Sequence, residues 1–380
     1  MMSEKRWRGR RIVVVLVMLA GVALVAPWRA GAQRQADAQT AARDAEAQTA
    51  ATQDAEAQTA ATRDSAQLEP GTMDVQWNEG AADCTKTSLP PLQVHRYNAQ
   101  TYILRESLCS TFEAPFMYLL IGSRRAMLID TGDVADAAQM PLATTVMSLL
   151  PMSGLAKLRL LVVHTHRHLD HRAGDGQFTG LADVEVVGYD IASVRKFYQF
   201  DNWKDGIAEI DLGGRIVEAM ATPGHNETEV SFYDRNTGLF FSGDFMMPAR
   251  LLIDDPSADM DSAEKVAAFV RDRPVSYVLG GHIEMDAKGN LFPWESRYHP
   301  NEHVLQMTKE DLLALPGALR GFNGFYNVVQ TKNGPFVMID SMRILMIFGA
   351  GVILALVLIV WVIAWFVRRG KRKRMMRRMA

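Results

Sequence analysis

Between Leu160 and Gly174 the chain reads Leu-Leu-Val-Val-His-Thr-His-Arg-His-Leu-Asp-His-Arg-Ala-Gly, placing four histidines and one aspartate within eight residues. Imidazole nitrogens and carboxylate oxygens are ligands for divalent transition metals. Packing so many of them together costs desolvation and mutual repulsion unless a cation offsets it. The apolar run Leu160 to Val163 suits a short strand covered on both faces. His166, His168, Asp170 and His171 then lie on the turn at its carboxyl end, close enough to serve two adjacent ions.

The segment Thr165-His166-x-His168-x-Asp170-His171 resembles the signature loop of the metallo-β-lactamase superfamily, and the other motifs of that family follow in order. Met127-Leu-Ile-Asp-Thr-Gly132 is similar to the strand and turn carrying the family's aspartate, here Asp130. Thr222-Pro-Gly-His225, Phe241-Ser-Gly-Asp244 and Gly280-Gly-His282 resemble its three later ligand loops. The likeness runs over residues 92 to 300. Five ordered motifs are far more specific than any one of them.

The resemblance implies a binuclear hydrolase. His166, His168 and His225 would hold one metal, and Asp170, His171 and His282 the second, with Asp244 between them. Asp170 is then the catalytic proton carrier, and Asp130 fixes the orientation of a ligand. Two zinc ions suit a histidine-rich site without thiolate, with iron or manganese as the alternatives. A flavodiiron-type oxidoreductase would place Glu where His168 stands. A mononuclear iron sulfur-oxygenase of the same fold is the alternative from another reaction class.

Strand candidates span Val94 to Arg105, Pro115 to Ile121, Ala126 to Ile129, Val184 to Val187, Arg215 to Ala221, Val230 to Tyr233, Leu239 to Phe241 and Val275 to Leu279. Helices are expected over Met140 to Leu150 and Asp261 to Arg271. These elements suit an α+β or α/β fold. The resemblance narrows that to a four-layer αββα sandwich over residues 92–340.

The flanks obey different rules. Residues 1–32 combine five basic residues between Met1 and Arg11, an apolar core from Ile12 to Ala26 and Ala30-Gly-Ala32, the pattern of a signal peptide or an N-terminal anchor. Residues 33–91 read as a linker whose first part repeats Ala, Gln and Thr and offers almost nothing to bury. Ile344 to Val367 is apolar without one ionisable residue and, as a helix, spans roughly 36 Å, enough to cross a bilayer. The tail 368–380 is strongly basic and expected in the cytoplasm, which puts the metal domain on the periplasmic side. Cys84 and Cys109 are the only cysteines, and an oxidising compartment favours their pairing.

Outside the basic ends the chain holds 27 basic against 42 acidic side chains. That excess disfavours nucleic acid as substrate. The basic tail is instead a partner for anionic membrane lipid. A small ester, lactone or related acyl compound is the expected substrate, with a β-lactam or phosphodiester as alternatives. Lactone-cleaving relatives often carry Tyr shortly after the bridging aspartate, but Phe245-Met246-Met247 follows Asp244. Glyoxalase II-like relatives hold glutathione with a basic C-terminal region, replaced here by Tyr298-His-Pro-Asn-Glu-His303. Arg250 is the candidate for a substrate carboxylate, and Met246, Met247, Leu251 and Leu252 line either an apolar cleft or the core.

Overall fold

The computed structural model describes residues 68–203, 205–322, 328–330 and 335–379. The expected signal peptide or N-terminal anchor and the expected tether as far as residue 67 lie outside the described residues. In chain order the first half builds β1 (Leu92–Asn98), β2 (Thr101–Glu106), β3 (Phe116–Ile121), β4 (Arg125–Ile129), α1 (Leu142–Leu149), a small ribbon β5 (Met152–Ser153) and β6 (Ala156–Lys157), β7 (Arg159–Val163), α2 (Asp175–Phe178) and β8 (Val184–Val186). The second half builds α3 (Ile191–Tyr198), β9 (Ile207–Asp211), β10 (Ile216–Ala221), β11 (Val230–Asp234), β12 (Leu239–Gly243), β13 (Arg250–Ile253), α4 (Pro256–Val270), β14 (Tyr277–Gly280), β15 (Gln306–Met307), α5 (Lys309–Gly321), β16 (Val328–Gln330), β17 (Val337–Asp340) and α6 (Ser341–Met379).

Two six-stranded sheets result, ordered β1-β2-β3-β4-β7-β8 and β15-β14-β12-β11-β10-β9. The period-two alternation of each strand decides what lies between them. Phe116, Tyr118 and Leu120 of β3 point inward, where they join Val217 and Ala219 of β10 and Phe232 of β11 in one buried core. Met117 and Leu119 point outward, against Leu142 and Val146 of α1. On the other side Tyr233, Phe240 and Val278 pack outward against Val266 of α4 and Leu315 of α5. Helices therefore cover both outer faces of the paired sheets, which is the four-layer αββα sandwich. Each fully buried Phe, Leu or Val contributes on the order of 1.5–3 kcal/mol.

Several elements depart from the sequence expectations. Val94 to Arg105 is a hairpin rather than one strand, because Asn98 Oδ1 accepts from the Gln100 amide at 3.0 Å and reverses the chain. α4 starts at Pro256, five residues before the expected Asp261: the Asp255 carboxylate accepts from the amides of Ser257 and Ala258, both at 3.0 Å. α5 begins with a reciprocal capping box between Thr308 and Asp311 that the sequence reading passed over. The linker drawn to residue 91 also runs too far. Trp77 is only 8% exposed and meets Phe116 edge to face at 5.0 Å, so residues beyond 68 contribute to the core.

Strand direction sets where the ligands collect. β4 and β7 are parallel, and so are β12 and β14, while β10 reaches the same direction through antiparallel β11. The carboxyl ends of all five strands accordingly lie at one end of the sandwich. At the opposite end Arg215 is buried and bolts the sheets together, its guanidinium donating to Asp234 Oδ2 at 2.7 Å, to the Gln100 carbonyl at 2.8 Å and to Thr101 Oγ1 at 2.9 Å.

Candidate metal centre

Each of the five strand ends delivers its motif to that end. β7 runs into His164–His171, β4 into Asp130, β10 into His225, β12 into Asp244 and β14 into His282. The donor atoms form two groups, His166 with His168 and His225, and Asp170 with His171, Asp244 and His282, each group lying within 4.8 Å. In the first, His168 Nδ1 is 2.9 Å from His166 Nε2 and 3.0 Å from His225 Nε2. In the second, His171 Nε2, His282 Nε2 and Asp170 Oδ2 are mutually 3.3 Å apart.

Ligands about 2.0–2.1 Å from a tetrahedral ion stand roughly 3.3 Å from one another. The second group has that spacing, and the first, at 2.9 and 3.0 Å, is slightly tighter. Asp244 lies between them, its Oδ2 3.7 Å from His225 Nε2 and its Oδ1 3.5 Å from His171 Nε2 and 3.6 Å from His282 Nε2. Asp244 Oδ1 is buried with no hydrogen-bond partner. A buried carboxylate oxygen left this way is costly unless a cation meets it. The donor set therefore fits two metal ions. Gly281 is part of the arrangement: a Cβ there would lie 2.3 Å from Asp244 Oδ1.

Contacts behind the ligands fix their orientation. Asp130, at φ 67°, accepts from the Thr165 amide at 2.7 Å and from the Thr165 hydroxyl at 2.9 Å. His171 Nδ1 donates to the same carboxylate at 2.9 Å, which leaves His171 Nε2 facing the centre. His225 Nδ1 donates to the Leu252 carbonyl at 2.6 Å and His282 Nδ1 to the Glu113 carbonyl at 2.7 Å. Asn226 Nδ2 lies 3.1 Å from His168 Nε2, its own Oδ1 accepting from the amide and hydroxyl of Thr228. Glu229 accepts from the amides of Asp244 and Phe245 at 3.0 and 2.7 Å.

The two groups differ in protonation. Burial, reinforced by neighbouring imidazoles, drives His166 well below the ordinary histidine range and lowers His168, so both are neutral ligands. Burial also opposes charge on His171 and His282, but Asp170 and Asp244 overcome it, raising His171 well above its usual range and His282 to about 10. The same attraction outweighs burial at Asp170 and Asp244, whose carboxyls fall well below theirs.

All eight residues singled out as ligands or orienting groups meet here, whereas Arg250 is placed otherwise. Arg250 is 7% exposed, donates to Glu284 Oε2 at 3.2 Å and to the Phe292 carbonyl, and stacks over Trp294 at 4.4 Å. It is committed to holding the loop after His282 rather than to a substrate carboxylate. Of the two readings of Met246, Met247 and Leu251, core is the one found: they are buried under α4 and α5 and do not supply an apolar cleft. His164 pairs with Asp175 at 2.8 Å, and His299 stacks on Phe292 while its Nδ1 meets Glu302 at 2.9 Å. Sequence reasoning missed Thr165, Asn226 and Glu229, though each lies within four residues of a ligand. It also missed Glu113, whose role is played by a backbone carbonyl and leaves no trace in residue type.

Comparison with known proteins agrees with this centre. The family model described as "Metallo-beta-lactamase superfamily" matches residues 110–282, the stretch that carries all the ligand loops. A hydroxyacylglutathione hydrolase from Dechloromonas aromatica (strain RCB) is 26% identical over 219 residues, covering 57% of this chain and 74% of that protein. The acyl-coenzyme A thioesterase MBLAC2 from Gallus gallus is 24% identical over 222 residues, covering 48% of this chain and 77% of its own. Among solved structures, a metallo-beta-lactamase from Pontibacter korlensis aligns with a TM-score of 0.41 at 15% identity, over 61% of this chain and 100% of that one. With its metal-binding residues intact and brought together by the sandwich, the chain belongs to the metallo-β-lactamase superfamily and is a hydrolase of that fold.

Proposed function

We propose that the chain is an exported, membrane-anchored acyl hydrolase working with two zinc ions, and that thioesters stand first among its substrates. The observation that carries the reading is the pair of donor groups joined by Asp244, with the Asp170 carboxylate in the second group. His166, His168 and His225 would hold one ion, and Asp170, His171 and His282 the other. When bound, the ions supply Lewis acidity, lowering the pKa of water and polarising a carbonyl. Asp170, ionised by the charges around it, takes the proton of the attacking water and passes it to the leaving atom. Asp130 keeps His171 in the tautomer that presents Nε2. The relatives named above act on thioesters by their names, which favours that class over lactones and phosphodiesters. Glutathione is a weaker candidate, because the basic C-terminal region that grips it in relatives is replaced here.

The anchored, exported placement is supported by the helix from Leu345 to Met376, apolar enough to cross a membrane and unburied in its apolar window, and by the Cys84–Cys109 disulfide. A hydrolysis panel tests the activity: the zinc-loaded protein against thioesters, lactones, β-lactams, aryl sulfates and bis-aryl phosphodiesters, with His168→Ala as blank. Thioester turnover above the blank is the expected result. Turnover of the phosphodiester alone would overturn the acyl reading. Elemental analysis returning one iron and no zinc would turn the assignment to the oxygenase.

A further inference from the structure

The third sheet links the membrane helix to the metal centre. β13 pairs in parallel with β17, with Leu252 opposite Ile339 and Ile253 opposite Asp340. Leu252 is the residue whose carbonyl holds the His225 ring, and the amides of Asp254 and Asp255 donate to the carbonyl of Gly224, next to His225. β17 therefore ends beside a metal-ligand loop, at the same end of the sandwich. α6 starts at the next residue, Ser341, and its apolar span begins by Leu345. Four residues reach at most about 14 Å even when fully extended. With α6 crossing a bilayer, as proposed above, the strand pair beside His225 is tied within that distance of its surface.

The rim of the centre suits such a neighbour. Leu169, between the ligands His168 and Asp170, is 59% exposed. Tyr189 is 39% exposed and lies under Arg172 at 3.8 Å, while Arg172 donates to the Arg167 carbonyl beside His168. Trp203 donates to the carbonyl of Glu227, two residues from His225. Apolar, aromatic and arginine side chains together favour a lipid interface.

We infer that the metal centre opens at the membrane surface and that its substrate is an acyl thioester or ester whose chain is seated in the bilayer. This rests on the hydrolase reading above and adds where the substrate is taken from. Tethering next to the site raises the effective concentration of a membrane-resident acyl group and gives no advantage for a freely soluble one.

The test uses the full chain in phosphatidylcholine nanodiscs, assayed with S-palmitoyl and S-acetyl thioesters of the same small thiol. A thirty-residue Gly-Ser insertion between Asp340 and Ser341 adds about 30 Å of flexible reach. The expected result is a fall of roughly tenfold or more in kcat/KM for the palmitoyl substrate with little change for the acetyl one. Equal turnover of the palmitoyl thioester by both forms would overturn the inference. A second measurement is independent of activity: fluorophores attached at Leu169→Cys and, separately, at Leu155→Cys beyond the far end of β7, quenched by nitroxide-headgroup lipid. Stronger quenching at 169 supports the placement; equal or weaker quenching at 169 overturns it. Cleavage of neither thioester, with quenching strongest at 169, would sink the thioesterase reading and leave the placement standing.

Discussion

The two halves of the metal centre solve the same problem with different charge. In the group of His166, His168 and His225, burial keeps His166 and His168 uncharged. The group of Asp170, His171, Asp244 and His282 places two carboxylates against two imidazoles, and without metal those imidazoles take up protons in the cation's place. One half is prepared for an ion at neutral pH. The other must exchange protons for it.

Removing the shared group should have the largest effect. Asp244→Ala is expected to lower metal content in both halves and to cut kcat/KM by about three orders of magnitude or more, since both ions lose their common ligand. Metal analysis showing either half at full occupancy would break the bridging assignment. Next comes Asp130→Asn, which takes the orienting charge from His171 and weakens the hold on Thr165. Outer contacts of this kind are worth about 10–100-fold in metal affinity, and the loss should fall mainly on the carboxylate half. Equal weakening of both ions would show that Asp130 supports the fold rather than His171.

Acidity separates the halves further. His282 must be neutral to bind metal, and its pKa is raised to about 10, so from pH 6 toward 10 the affinity of the carboxylate half should climb as protons compete less. The histidine half should stay level above the ordinary histidine range. Zinc titrations in buffers of different ionisation enthalpy read this directly: one equivalent releases protons at pH 7 and the other almost none. Two equivalents with the same release would erase the distinction. The smallest effect is expected for Asn226→Ala, whose side chain touches one ligand, His168, from behind and otherwise holds Thr228; a few-fold loss in the histidine half is expected.

The centre was more legible in the sequence than its surroundings because ligand chemistry is carried by residue type. His, Asp and Gly at fixed spacing after apolar runs name themselves. Side chains with ambiguous chemistry did not: Arg250 looks the same whether it waits for a substrate or braces the Glu284 to Trp294 loop, and only its partners decide. Met246 and Met247 were equally mute, since an apolar residue beside a ligand fits a cleft or a core. The fold class came from the motifs rather than from periodicity. Strands buried on both faces show no alternation, and the β1–β2 hairpin hides its turn in Asn98, which also tolerates a strand.

The disulfide reaches further than its position suggests. Cys84 and Cys109 are 5.4 Å apart at Cα and separated by 25 residues, a loop whose closure removes roughly 3.5 kcal/mol of unfolded-state entropy at 25 °C. Cys109 lies four residues before Glu113, whose carbonyl sets the His282 ring, and the Cys109 carbonyl itself accepts from Arg297 at 3.0 Å. Protein matured in a reducing compartment would therefore carry a loosened ligand as well as a weaker fold. Strong reductant during purification should then strip the carboxylate half of its ion without chelator, turning oxidation state into a control on enzyme yield.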